Sequence, residues 1–332
     1  WWRVLALAAL AGAGPHATHL EAAEAGEQDL SPALRTEKLV AEAAARNGGA
    51  AMVRSPAELD GLPEDPLAGP LAEVLIELAR GRADRALDEG LDALEDTRPG
   101  ESRAELRGAL VEKLVSAGLN DRGRRWLLEG QDPVSQAGWA LQLALDGRCD
   151  AAATRADHLV DQPPEPVSAR LMVARALQEC SAPAGALGLM HATARRAAEV
   201  DPRVALQIGQ LAFDLGDPDS SRWWCQRALT EGRSFPSVGP AARVCLAAAD
   251  ALRGVLPAAR RELMEAWDAM SAAPSLSARE RREAKVGGAW IAVSSGDPEA
   301  ARWALEVIEG ADGLPGIGRE DMLPVLEAMA LV

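Results

Sequence analysis

Two octets eighty residues apart, Gly216 to Trp223 (GDPDSSRW) and Gly296 to Trp303 (GDPEAARW), spell one physical object twice. The glycine suits the left-handed conformation that ends a helix. The aspartate then caps the next helix, proline occupies its first position, and the following acid faces the positive end of the helix dipole. Each octet is therefore a tight corner between two antiparallel helices. Weaker spellings recur at Gly81 (ARGRADRAL), Gly118 (SAGLNDRGRRW), Gly147 (LDGRCDAAA), Cys180-Ser181 (QECSAPAGAL) and Gly254 (ALRGVLPAARREL). The seven corners are 29 to 42 residues apart, and a proline follows each by 15 to 22 residues: Pro99, Pro133, Pro164, Pro202, Pro236, Pro274 and Pro315. Tight turns alternating with proline breaks at this period predict a helical solenoid, in which each pair buries its apolar face only against its neighbours.

Composition agrees. Ala, Leu, Arg and Glu dominate, there is no Tyr and only two Phe, and β-branched runs are few, so a large sheet has little raw material. The chain of 332 residues is 48% hydrophobic and 26% charged, which suits a globular array. Its net charge of -15, with the basic residues dispersed among acids, argues against nucleic acid and favours a neutral or basic partner.

The corners and the small residues around them resemble the tetratricopeptide repeat family over residues 68–312. In the fifth repeat Gly209, Ala212, Gly216, Ser221 and Ala228 fall where the family places small residues at the helix crossing; in the sixth, Ala247, Gly254, Ala259 and Ala266 do; in the seventh, Ala289, Ala292, Gly296 and Ala301 do. The resemblance implies an all-α fold, an α-solenoid of about seven antiparallel helix-turn-helix repeats wound into a superhelix. Residues 313–332 read as a capping helix over the last apolar face.

Ahead of the repeats, residues 14–67 hold a helix opened by Ser31-Pro32, with Leu34, Leu39, Val40 and Ala43 on its apolar side and Asn47-Gly48 to stop it, followed by a proline-broken linker or irregular wrap, RSPAELDGLPEDPLAGP. Residues 1–13 combine Arg3, an apolar run from Val4 to Ala11 and the small-residue pattern Ala11-Gly12-Ala13, as in the remnant of a signal peptide. The same run also reads as a buried helix of a fragment. It is too short to cross a bilayer, and no membrane span is expected in the mature chain.

No motif supports catalysis, a metal or a cofactor. His16 and His19 have metal-pair spacing but no further ligands nearby, while His158 and His191 fall late in second helices as surface or inter-helix residues. There is no His-Glu-x-x-His, no Cys-x-x-Cys and no G-x-S-x-G elbow. Trp126, Trp223 and Trp303 each follow an arginine at equivalent points of second helices and are expected to fill gaps between small-residue helices.

The function expected of such a stack is a non-catalytic scaffold that binds a protein or peptide in the groove lined by first helices. In that register stand Glu112, Arg175, Gln178, Gln210, Asp214 and Trp290. The lysine and asparagine pattern with which family members clamp a terminal carboxylate is missing there. With the leader read as a signal, the site of action is periplasmic or extracellular, at an envelope or secretion assembly. With the leader read as a helix, the protein is a cytoplasmic regulatory solenoid of a signalling or transcription system. The four cysteines follow the same fork: buried free thiols in the cytosol, disulfides if exported. Cys149 and Cys180 occupy neighbouring corners, and Cys225 on a second helix faces Cys245 on the next first helix, so the expected bonds are Cys149–Cys180 and Cys225–Cys245.

Overall fold

The computed structural model describes residues 30–47, 53–97, 103–196, 201–232 and most of 235–266. The 1–13 leader, His16, His19, Trp290, Trp303, the corner at Gly296 and the 313–332 segment lie outside the described residues. Among those described there are twelve α-helices and no strand. They are α1 (Pro32–Asn47), α2 (Ala68–Ala79), α3 (Ala83–Asp96), α4 (Ala104–Ala117), α5 (Asp121–Glu129), α6 (Pro133–Leu145), α7 (Cys149–Asp161), α8 (Val167–Glu179), α9 (Pro183–Arg196), α10 (Pro202–Asp214), α11 (Pro218–Gly232) and α12 (Gly239–Leu252). None is long and apolar enough to cross a membrane.

The corners are built as their chemistry dictates. Gly81, Gly147, Gly216 and Gly254 adopt φ of 73 to 76°. At each, two backbone bonds close the preceding helix; at Gly216 they run from Gly216 N to Phe213 O and from Asp217 N to Ala212 O, both 2.9 Å. This is a Schellman closure, which consumes carbonyls that the helix end leaves unpaired. The corner after α8 uses the same two bonds, but its left-handed residue is Ser181 (φ 59°), one position beyond Cys180. Gly118 departs from the pattern: at φ 92° and ψ 111° it is more extended, and Asn120 caps α5 by accepting from Gly123 N at 2.9 Å. At the other end of each pair, Pro133 and Pro202 open α6 and α10 behind the caps Asp132 and Asp201.

Consecutive helices pack on one another along the described chain, with the short α5 leaning on α6 more than on α4. Within a pair, α2 lies on α3, α6 on α7, α8 on α9 and α10 on α11; each second helix also touches the first helix of the next pair. First helices touch one another in succession, α2–α4–α6–α8–α10–α12. The small residues at the crossings are buried, among them Ala212, Ser221 and Ala228.

Two apolar clusters result. The larger runs from α1 through the pairs up to Leu211 of α10. The second gathers Leu30, Leu34, Ala205, Leu206, Cys225, Leu229, Phe235, Val238, Ala242 and Leu246. The proline-broken stretch is a packed wrap: Val53, Leu59 and Leu67 are buried, and Arg80 donates to the Val53 carbonyl. Glu77, fully buried beside that corner, is held by Arg80 and Arg82, each at 2.6 Å.

The expectation for Trp223 is corrected. It is 45% exposed, because Ser221, Cys225 and Ala228 form the inward face of α11 and Trp223 falls on the opposite side. Its neighbour Trp224 turns toward the core, meeting His191 of α9 edge-on at 5.6 Å. Trp126 packs against the larger cluster as a gap filler should.

Candidate interaction surface

The first-helix face is narrow because α4, α8 and α10 converge at their N-terminal ends. Gly108 on α4 permits this approach: a Cβ there would fall on the Ser168 side chain of α8. Ser168 donates to Glu105, from its backbone N at 3.3 Å and from its hydroxyl at 3.4 Å to the Glu105 carbonyl. Glu105 in turn accepts from Arg203 of α10 at 2.9 Å, across 98 residues of sequence.

Arg203 is the hub of this convergence. It pairs with Asp201 at 2.6 Å, Glu105 at 2.9 Å and Glu112 at 3.8 Å. Burial opposes its charge, but Asp201, Glu105 and Glu112 outweigh that and hold the guanidinium well above its ordinary pKa. A cation in the first turn of a helix also sits at the wrong end of the dipole. The three carboxylates are what make it tolerable there.

Five of the six residues read as groove-lining stand on α4, α8 and α10, and most engage one another or their neighbours. Gln178, nearly buried, donates to the Asp214 carboxylate and accepts from Gln207 at 2.6 Å, tying α8 to α10. Arg175 donates to Ser116 at 3.2 Å, tying α8 to α4. Glu112 completes the Arg203 cluster, and Gln210 is half-buried on α10. Sequence reasoning passed over Glu105, Ser168, Asp201, Arg203 and Gln207. The signal for Arg203 was available, since a cation at the second position of a helix calls for acids from elsewhere in the fold.

The cysteines sit as their positions require. Cys149–Cys180 and Cys225–Cys245 are at disulfide distance, with Cα atoms 5.1 and 5.9 Å apart. Among the described residues there is no group of three or more metal-ligating side chains. Comparison with protein-family models and with curated proteins finds no match.

Proposed function

We propose that the protein is a non-catalytic interaction scaffold of the tetratricopeptide-like type, in which about seven helix pairs over residues 68–312 form a superhelix that receives a protein or peptide on its first-helix face. The observation that carries this reading is the unbroken succession of first helices, each touching the next, which lays one continuous surface along the stack. The net charge of -15 suits a neutral or basic partner and disfavours nucleic acid. The two cysteine pairs support an oxidising compartment, periplasmic or extracellular, over the cytosolic alternative. Within such a compartment the protein serves an envelope or secretion assembly; that step rests on compartment and fold together.

The test is photo-crosslinking in the native cell from single sites on the two faces. A photoreactive residue at Gln210 is expected to trap a discrete partner, and one at exposed Asp157 on α7 is expected to trap none. Loss of the Gln210 adduct, or equal labelling from both positions, overturns the reading.

A further inference from the structure

α1 carries Arg35, Thr36, Glu37, Lys38, Glu42 and Arg46 in sixteen residues, the composition of a surface helix with one buried stripe. Its environment is different. Pro32, Ala33, Leu34, Thr36, Glu37, Val40, Ala43 and Ala44 are all buried, and of its described side chains only Glu42, Arg46 and Asn47 are exposed. A helix this polar is covered nearly all round.

Among the described residues, the first-helix face supplies its apolar contacts. α1 has no antiparallel partner across a tight corner among the described residues; it packs on α2 and α4, both first helices. Ala33, Val40, Ala43 and Ala44 join the larger cluster. Leu34, with Leu30 just ahead of the helix, joins the second cluster, among Ala205 and Leu206 of α10 and Ala242 and Leu246 of α12. Sixteen residues span about 24 Å. α1 therefore reaches from the first pairs to the fifth and sixth, across the surface on which a bound helix would lie.

Two further observations mark it as an occupant more than a wall. Both cysteine pairs lie in the stack and neither involves α1. The chain that follows is anchored in its own right, through buried Val53, Leu59 and Leu67 and the Arg80 bond to the Val53 carbonyl. Charge agrees as well: Arg35, Lys38 and Arg46 outnumber Glu37 and Glu42 in a chain of net charge -15.

We propose that α1 is an intrachain ligand, and that the partner of the first-helix face is an amphipathic helix of another protein, net neutral or basic, which displaces α1 by presenting apolar residues at the spacing of Leu30, Leu34, Val40 and Ala44. This rests on the scaffold reading and specifies its partner. A tethered occupant competes at high effective concentration, so the incoming helix binds in proportion to the fraction of molecules in which α1 is released.

The probe is a fluorescein-labelled synthetic peptide of residues 30–47, titrated into the full chain and into the Leu34→Asp/Val40→Asp variant, whose own α1 cannot dock. The peptide is expected to bind the variant at least tenfold more tightly than the unaltered chain, and a peptide carrying the same two aspartates is expected to bind neither. Equal weak binding to both proteins overturns the proposal. Because the variant can lose its fold, hydrogen exchange on the unaltered chain gives an independent reading. Amides of α1 are expected to exchange at least tenfold faster than those of α6 and α8, through openings that leave the stack closed. Exchange of α1 only together with α6 and α8 makes it permanent core and overturns the proposal. A dimer with α1 segments exchanged between copies assigns the site to a second copy and overturns the partner named here. A Gln210 adduct in cells alongside a locked α1 removes this inference and leaves the scaffold standing; a mobile α1 that the peptide replaces, without any adduct, overturns the scaffold and the partner named here and leaves α1 only as a displaceable segment.

Discussion

Gly209 and Gly188 offer one substitution with two opposite outcomes. Replacing a helical glycine by alanine gains about 0.5–1 kcal/mol of intrinsic helix propensity wherever space permits. At Gly188 on α9, a Cβ would meet nothing within 4 Å, so Gly188→Ala is expected to stabilise by that amount. At Gly209, where α10 crosses α11, the added Cβ lies 3.1 Å from Cys225 N and 3.2 Å from Ser221 O, and nearer still to Cys225 Sγ. Two of these atoms are backbone and the third is tied to Cys245, so none can rotate away. The helices must part, and overpacking of this kind costs about 1–3 kcal/mol. Net of the propensity gain, Gly209→Ala is expected to lose about 1–2 kcal/mol, or a few degrees in Tm for a chain this long. Thermal melts of the oxidised protein followed by helical circular dichroism decide it. If both variants melt above the wild type, the α10–α11 crossing is looser than described and the small-residue reading of the corner fails.

Arg203→Met is expected to cost about 3–5 kcal/mol in urea unfolding, because it leaves the Asp201, Glu105 and Glu112 carboxylates without their cation; a loss below about 1 kcal/mol would show that the convergence of α4, α8 and α10 does not depend on it. Non-reducing peptide mapping is expected to recover Cys149–Cys180 and Cys225–Cys245, which close loops of 31 and 20 residues; removing either pair should lower stability by about 3–4 kcal/mol on chain-entropy grounds, and four free thiols would refute both bonds. Asp217 accepts from the Ser220 hydroxyl and backbone, which holds its carboxyl below the usual range. A depressed folded value means its stabilisation is present above the unfolded value of about 3.9 and lost as pH falls through the folded one. The gap between wild type and Asp217→Ala, about 1 kcal/mol at neutral pH, should therefore narrow on acidification; a gap constant down to pH 2 would contradict the charged-cap assignment.

The corners were legible because their chemistry is local. A left-handed glycine, a capping aspartate and a proline act within four residues, and Gly81, Gly147, Gly216 and Gly254 all took the expected conformation. The cysteine pairing was legible at one remove, since it needed only the adjacency of neighbouring pairs. Long-range closure was harder. Leu30 and Leu34 find company near residues 205 and 246, and Arg203 finds Glu105; no periodicity carries such distances. Trp223 was misassigned because Trp223 and Trp224 are adjacent letters on different sides of a helix, and the small-residue register at Ser221 and Cys225 decides between them. Ser181 in place of glycine shows the limit of local rules too, for there the left-handed site is held by a residue with a Cβ.

The two cysteine pairs have a mechanical consequence. One rivets α7 to α8, the other α11 to α12, so between α6 and α12 a single junction, α8–α9 with α10–α11, is left without a covalent rivet. That junction is spanned instead by Gln178 with Gln207 and Asp214, and by His191 against Trp224. Covalent bonds therefore resist parting at the two flanking junctions, whereas at this one parting is resisted by packing, hydrogen bonds and the Arg203–Glu105 ion pair alone.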